Sequence, residues 1–178
     1  MSKFTDNASE KLLVVAGKIS NQKHMASIKN AFYTLMPVIL TGAFCTLISN
    51  VVCSTTTTGI SLAKLPGMSW LGMFTDLFTA ANYATLNFFT VAAVFLIGME
   101  LAKQNGLGDS PDSGVVAVCS FISVLPTYVV TTVNDVQVTV PNVLGKDYTA
   151  ARGLFLGMVI ALVSVEIYSK FVKSHVFD

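Results

Sequence analysis

Charge is what this sequence has least of. Only 12% of its 178 residues are Asp, Glu, Lys or Arg, about half the fraction usual in soluble domains. The net charge is +1, and no basic patch with interleaved aromatics occurs, so nucleic acid is excluded as a partner. The three cysteines, Cys45, Cys53 and Cys119, have no metal-ligand spacing and form no disulfide framework. Cys45 and Cys119 lie in apolar runs, where cysteine serves as a small packing residue. The two histidines, His24 and His175, stand in basic segments outside the apolar runs. No glycine loop of the nucleotide-binding type is present. Neither a catalytic set, a metal site nor a cofactor is expected. Residues 1–30 are polar and mixed in charge, and the first apolar run comes too late and is too long for a secretory leader.

Apolar residues are what the chain has in quantity. They make up 53% of the sequence, and mean hydropathy is +0.66. Ala31 to Val52 is free of charge and matches a bilayer core of roughly 30 Å at 1.5 Å per helical residue. Pro37 should kink this span, and Gly42 should admit a neighbouring helix. Upstream, Ala8, Leu12, Val15, Ala16 and Ile19 recur at helical spacing with Lys11 and Lys18 on another face. That pattern predicts an amphipathic helix on the membrane surface within a cytoplasmic segment, residues 1–30. Cys53 to Ala80 is read as a loop carrying an interfacial helix or half-span around Trp70, which would anchor at the interface.

Further spans are expected at about Ala81–Leu101, Gly114–Val130 and Ala151–Tyr168. Glu100 and Lys103 should pair at the end of the second. Gly106, Gly108 and Pro111 mark a polar turn, and Pro126 interrupts the third. Val133, Val136, Val138 and Val140 around Asn134-Asp135 predict a β-hairpin outside the membrane. Gly153, Gly157 and Ala161 stand four apart, a small-residue stripe for close helix packing. Glu166 is the one carboxylate placed within a span, with Lys170 four residues on. It reads as half of an interfacial ion pair or as a functional acid. The expected fold is an all-α polytopic membrane protein of about four transmembrane helices. Eight cations, Lys3, Lys11, Lys18, Lys23, Lys29, Lys103, Lys170 and Lys173, then share one side, leaving Lys64, Lys146 and Arg152 on the other. Both termini are therefore expected in the cytoplasm.

Residue chemistry alone leaves the function open. It is compatible with a transport component and with a non-transporting membrane scaffold or interaction protein. A third reading, a small dimeric exporter, would depend on Glu166. A resemblance narrows this. The segment GKISNQKHMASIKNAFYTLMPVILTGAFCTLISN, through Gly17-Lys18, His24, Ser27-Ile28-Lys29-Asn30, Phe32, Met36-Pro37 and Gly42, resembles the start of the membrane (C) component of a sugar phosphotransferase system enzyme II. The similarity is to the lactose, cellobiose and diacetylchitobiose family. FLIGMELAK and RGLFLGMVIALVSVEIYSKFVK resemble later membrane segments of that family.

The resemblance implies a homodimeric permease in the bacterial cell membrane that takes up a disaccharide while partner A and B components supply phosphate. It also implies that the sugar is held in a C-terminal half, by a His and an Asn-Glu-Pro motif that this sequence does not contain. No substrate-binding residue is therefore carried over. Residues 31–178 are read as the dimerisation and scaffold half, truncated or split from the substrate half and inactive alone. Pro37, Gly42, Gly153, Gly157 and Ala161 are its candidate packing or dimer positions.

Overall fold

The computed structural model describes residues 22–55, 61–133 and 135–174. The expected amphipathic helix at residues 8–19, and His175, lie outside the described residues.

Helix α1, Lys23–Leu47, continues as a π-helical turn over Ile48–Cys53. It starts eight residues before the expected span because no breaker separates Lys23 from Ala31, and Ser27 bonds back to the Lys23 carbonyl. Pro37 lies inside it, and the helix runs on past the proline, with the Thr41 hydroxyl donating to the Pro37 carbonyl. After the loop, a 3-10 stretch at Ser69–Phe74 leads into α2, Thr75–Asn82, and a second π-helical turn, Tyr83–Asn87. Helix α3, Phe89–Gln104, follows at a 45° bend.

The expected second span, Ala81–Leu101, is thus broken at Phe88. That residue leaves helical geometry, at φ −105° and ψ 16°. The stretch around Trp70 is the first part of the same bent pair. Trp70 packs edge-on against Phe74, with ring centroids 6.1 Å apart.

Helix α3 ends where Gly106 takes φ +81° and its amide bonds the Lys103 carbonyl, while the Leu107 amide reaches Ala102. A left-handed residue of this kind closes helices by satisfying their last carbonyls. Helix α4, Pro111–Val124, opens with proline in its first turn, where the missing amide costs nothing. It stops at Val124, six residues short of the expected Gly114–Val130. Pro126 disfavours helical geometry at the residue before it, and Leu125 is extended. Val129 and Val130 belong instead to β1, Tyr128–Val133, which pairs antiparallel with β2, Val136–Pro141. Val129 faces Val140 and Thr131 faces Val138 in that register.

A short α5, Lys146–Thr149, precedes α6, Leu154–Lys173. Among the described residues, two helices are long and apolar enough to cross a membrane, Lys23–Cys53 and Ala151–Lys173. The bent pair makes a third if it is one span. Helix α4 is apolar but shorter.

The core forms around α3. Ala93, Val94, Ile97, Leu101 and Ala102 are buried on it, among Ala31 and Leu35 of α1, Ala117 and Phe121 of α4, and Ala161 and Val165 of α6. Small residues let these helices approach. A Cβ on Gly98 would lie 2.8 Å from the Ala117 Cβ, and one on Gly114 would lie 2.7 Å from the Phe95 ring.

Candidate functional site

The charged end of the bundle carries the densest polar chemistry among the described residues. Ala161, Val165 and Ser169 recur every four residues on the buried face of α6, and Glu166 is offset by one position toward α1. The first turn of α1 meets it there. The Lys23 Nζ lies 2.5 Å from Glu166 Oε1, and His24 Nε2 lies 3.7 Å from the same oxygen. Lys23 Nζ also donates to Asn105 Oδ1 at 3.0 Å, and Asn105 Nδ2 donates to Ser169 Oγ at 3.2 Å. Asn105 sits at the end of α3. One network therefore joins the ends of α1, α3 and α6.

This arrangement corrects the expected partner of Glu166 and gives Lys103 a nearer partner than Glu100, whose charge still bears on it. Glu166 pairs with Lys23, not with Lys170, because α1 brings its first turn across the Glu166 face. Lys170 lines an outward cleft with Ile167 and Phe171 instead. Glu100 accepts a hydrogen bond from Asn30 Nδ2 at 3.2 Å, and Lys103 pairs with Asp109 at 3.1 Å. Lys23, His24, Asn30, Asn105 and Ser169 had no signal in the sequence as partners. Lys23 and Asn105 are 82 residues apart, and only the packing of α1 on α3 brings them together.

The network can hold three helix ends in register. The Glu166 carboxylate has Lys23 as its counter-ion. Among the described residues, no group of His, Cys, Asp and Glu could hold a metal ion.

The small residues sort by what they face. A Cβ on Gly157 would lie 2.7 Å from Val94 and 2.8 Å from Thr90, so this glycine seats α6 on α3. Ala161 is fully buried in the same core. A Cβ on Gly42 would lie 2.5 Å from Thr85 Oγ1, so this glycine seats α1 on the second π-helical turn. Gly153 meets the Tyr148 backbone just before it, and not another helix. Pro37 neighbours Val38, which lines an apolar groove of about 640 Å³ with Leu35, Phe88, Phe95, Val115 and Cys119. Cys119 is exposed at this groove, whereas Cys45 is buried.

Three comparisons bear on these elements. Residues 29–177 match the family model described as "Phosphotransferase system, EIIC". The oligo-beta-mannoside-specific EIIC component of Bacillus subtilis is 27% identical over 96% of this chain and 36% of its own length. The lichenan permease IIC component of Bacillus subtilis is 28% identical over 94% and 36%. The cellobiose-specific EIIC component of Geobacillus stearothermophilus is 24% identical over 99% and 38%. The crystal structure of the transporter ChbC, the IIC component of the N,N'-diacetylchitobiose-specific phosphotransferase system, superposes with a TM-score of 0.74 at 26% identity. That match covers 93% of this chain and 37% of ChbC. The chain thus spans little more than a third of the length of the relatives it matches.

Proposed function

The chain belongs to the phosphotransferase system EIIC family, and from that premise we propose that it serves in the uptake of a β-linked disaccharide of the cellobiose or chitobiose type. In this reading it is the scaffold part of a membrane permease, works as a homodimer, and depends on A and B components for phosphate. Residues 1–30 form its cytoplasmic approach and residues 31–178 its membrane part. The sugar-holding His and Asn-Glu-Pro chemistry comes from a C-terminal portion beyond these residues, so the chain alone is inactive. The observation that carries the reading is the family match over residues 29–177 together with the ChbC likeness over 93% of the chain.

The proposed topology places both termini in the cytoplasm, with the β1–β2 hairpin outside. Four crossings put most lysines on the inner side. The bent pair makes one crossing, and α4 makes another despite its short helix, completed by the extended residues after Val124. Gly42 and Gly157 are proposed as packing positions within the scaffold, and Glu166 as a tether and not a carrier of protons.

The test joins this chain to the remainder of the cellobiose-specific relative, in cells that supply the A and B components. The joined protein is expected to take up and phosphorylate cellobiose, and the chain alone is not. Sugar phosphorylation by the chain alone would overturn the placement of the sugar site. A joined protein that inserts but transports nothing would overturn the uptake reading.

A further inference from the structure

The second polar feature lies at the other end of α1. Thr46 stands 23 residues beyond Lys23, about 35 Å along the helix axis at 1.5 Å per residue. Here Thr46, Ser49 and Asn50 of α1 and its π-helical turn face Thr79 and Asn82 of α2. They enclose a cavity of about 160 Å³. Its five lining side chains are all neutral and polar, in helices whose other exposed faces carry Phe44, Leu47, Val51 and Leu77.

Neutral polar groups in such helices are costly unless they are hydrogen-bonded. Most of these are. Thr46 donates to the Gly42 carbonyl at 2.8 Å, Asn82 Nδ2 donates to Thr46 Oγ1, and the hydroxyls of Ser49 and Thr79 are 3.2 Å apart. The Asn50 side chain has no hydrogen-bond partner among the described residues, and the Asn82 side-chain oxygen Oδ1 has none there either. The cavity therefore keeps both donor and acceptor capacity open.

Two further observations set the cavity apart. Ser49 and Asn50 in its wall belong to the π-helical turn Ile48–Cys53. Such turns are rare and recur at functional sites. Asn82 also lines a neighbouring cavity of about 410 Å³, with Asn87 and Lys146. Ser, Thr and Asn side chains also hydrogen-bond membrane helices to one another, and here they do so while leaving a hollow open between α1 and α2. It has room for roughly five waters at about 30 Å³ each, the scale of one sugar ring.

From this geometry we infer a saccharide-binding subsite at Thr46, Ser49, Asn50, Thr79 and Asn82, which holds one neutral pyranose unit through paired hydroxyl and amide hydrogen bonds. The inference rests on the sugar-uptake reading and on its topology, which places this hollow on the side from which sugar arrives. It is separate from the sugar site expected in the C-terminal portion.

The full chain in lipid nanodiscs would be titrated with cellobiose by saturation-transfer NMR. Binding is expected in the wild type, with affinity at least tenfold weaker in the Thr79→Val, Asn82→Leu double variant. Thr34→Val, in the apolar groove, is expected to leave affinity unchanged. Asn50→Ala removes an exposed lining amide without disturbing a contact and is expected to weaken binding at least threefold, which keeps the test decisive if the double variant fails to fold. No cellobiose signal in the wild type would overturn the subsite. So would equal affinity in all variants. A double variant that loses self-association and keeps sugar affinity would reassign the cluster to a contact between copies. Each of these failures leaves the uptake reading standing, because that reading is judged by the joined protein.

Discussion

Glycines decide the residue scale. Gly157 has no room for a methyl between Val94 and Thr90, so Gly157→Ala should destabilise the protein by about 1–3 kcal/mol, the usual cost of overpacking. Gly145 is the contrast. A Cβ there meets the Tyr148 ring at 3.4 Å and a Val129 methyl at 3.9 Å, both ordinary contacts, so Gly145→Ala should stay within about 0.5 kcal/mol. Thermal unfolding in detergent separates the two, and equal midpoints would refute the packing argument. Glu166 is a second test at this scale. The Lys23 and Glu166 side chains are 44% and 25% exposed, so solvent screens the pair, and its worth should not exceed about 1 kcal/mol. A double-mutant cycle of Glu166→Gln and Lys23→Met measures that coupling. In the joined transporter, Glu166→Gln should retain sugar uptake; its loss would restore the acid to a functional role.

Elements are coupled by a few buried bonds. Thr90 is fully buried on α3, and its hydroxyl donates to the Ala150 carbonyl at 2.6 Å. This bond joins the start of α3 to the turn that launches α6, close to where Gly157 crosses. Thr90→Val keeps the shape and removes the donor, and should cost about 1–2 kcal/mol through the orphaned carbonyl. Phe121 of α4 is the largest fully buried side chain among the described residues, and Phe121→Ala should cost about 3–5 kcal/mol. Phe155, on α6 but 76% exposed, should tolerate alanine in detergent with little change in unfolding midpoint. Helix lengths follow local chemistry more than packing. Pro126 ends α4 through Leu125, a boundary that the apolar run up to Val130 conceals.

For the whole molecule, sidedness is the quantity to measure. In a background without Cys45, Cys53 and Cys119, a cysteine introduced at Asp135 between the strands should react with an impermeant maleimide from outside intact cells. One at Asp109 should react only after the membrane is opened. The reverse pattern would invert the proposed topology. The exposed apolar residues Phe44, Leu47, Trp70, Met73 and Leu77 crowd the end of the bundle near the bent pair. Lipid or further protein must cover them in the cell, since a face of that extent is not left to water.

The sequence by itself determined the apolar helices, the turn at Gly106 and Gly108, the alternating valines of the strands and the family. Those depend on composition, local periodicity and backbone restriction, which each residue carries without its partners. Tertiary structure decided the rest. Glu166 found Lys23 instead of Lys170 because an antiparallel helix offered a nearer cation than its own next turn did. Glu100 found the neutral amide of Asn30, also on α1. Gly98 and Gly114 passed unnoticed in the sequence, since a glycine's use as a seat depends on the helix laid across it. The break at Phe88 sits inside an unbroken apolar run, where helix period alone cannot register a change of direction. The hollow at Thr46 and Asn82 exists only because α1 and α2, from separate segments, pack side by side.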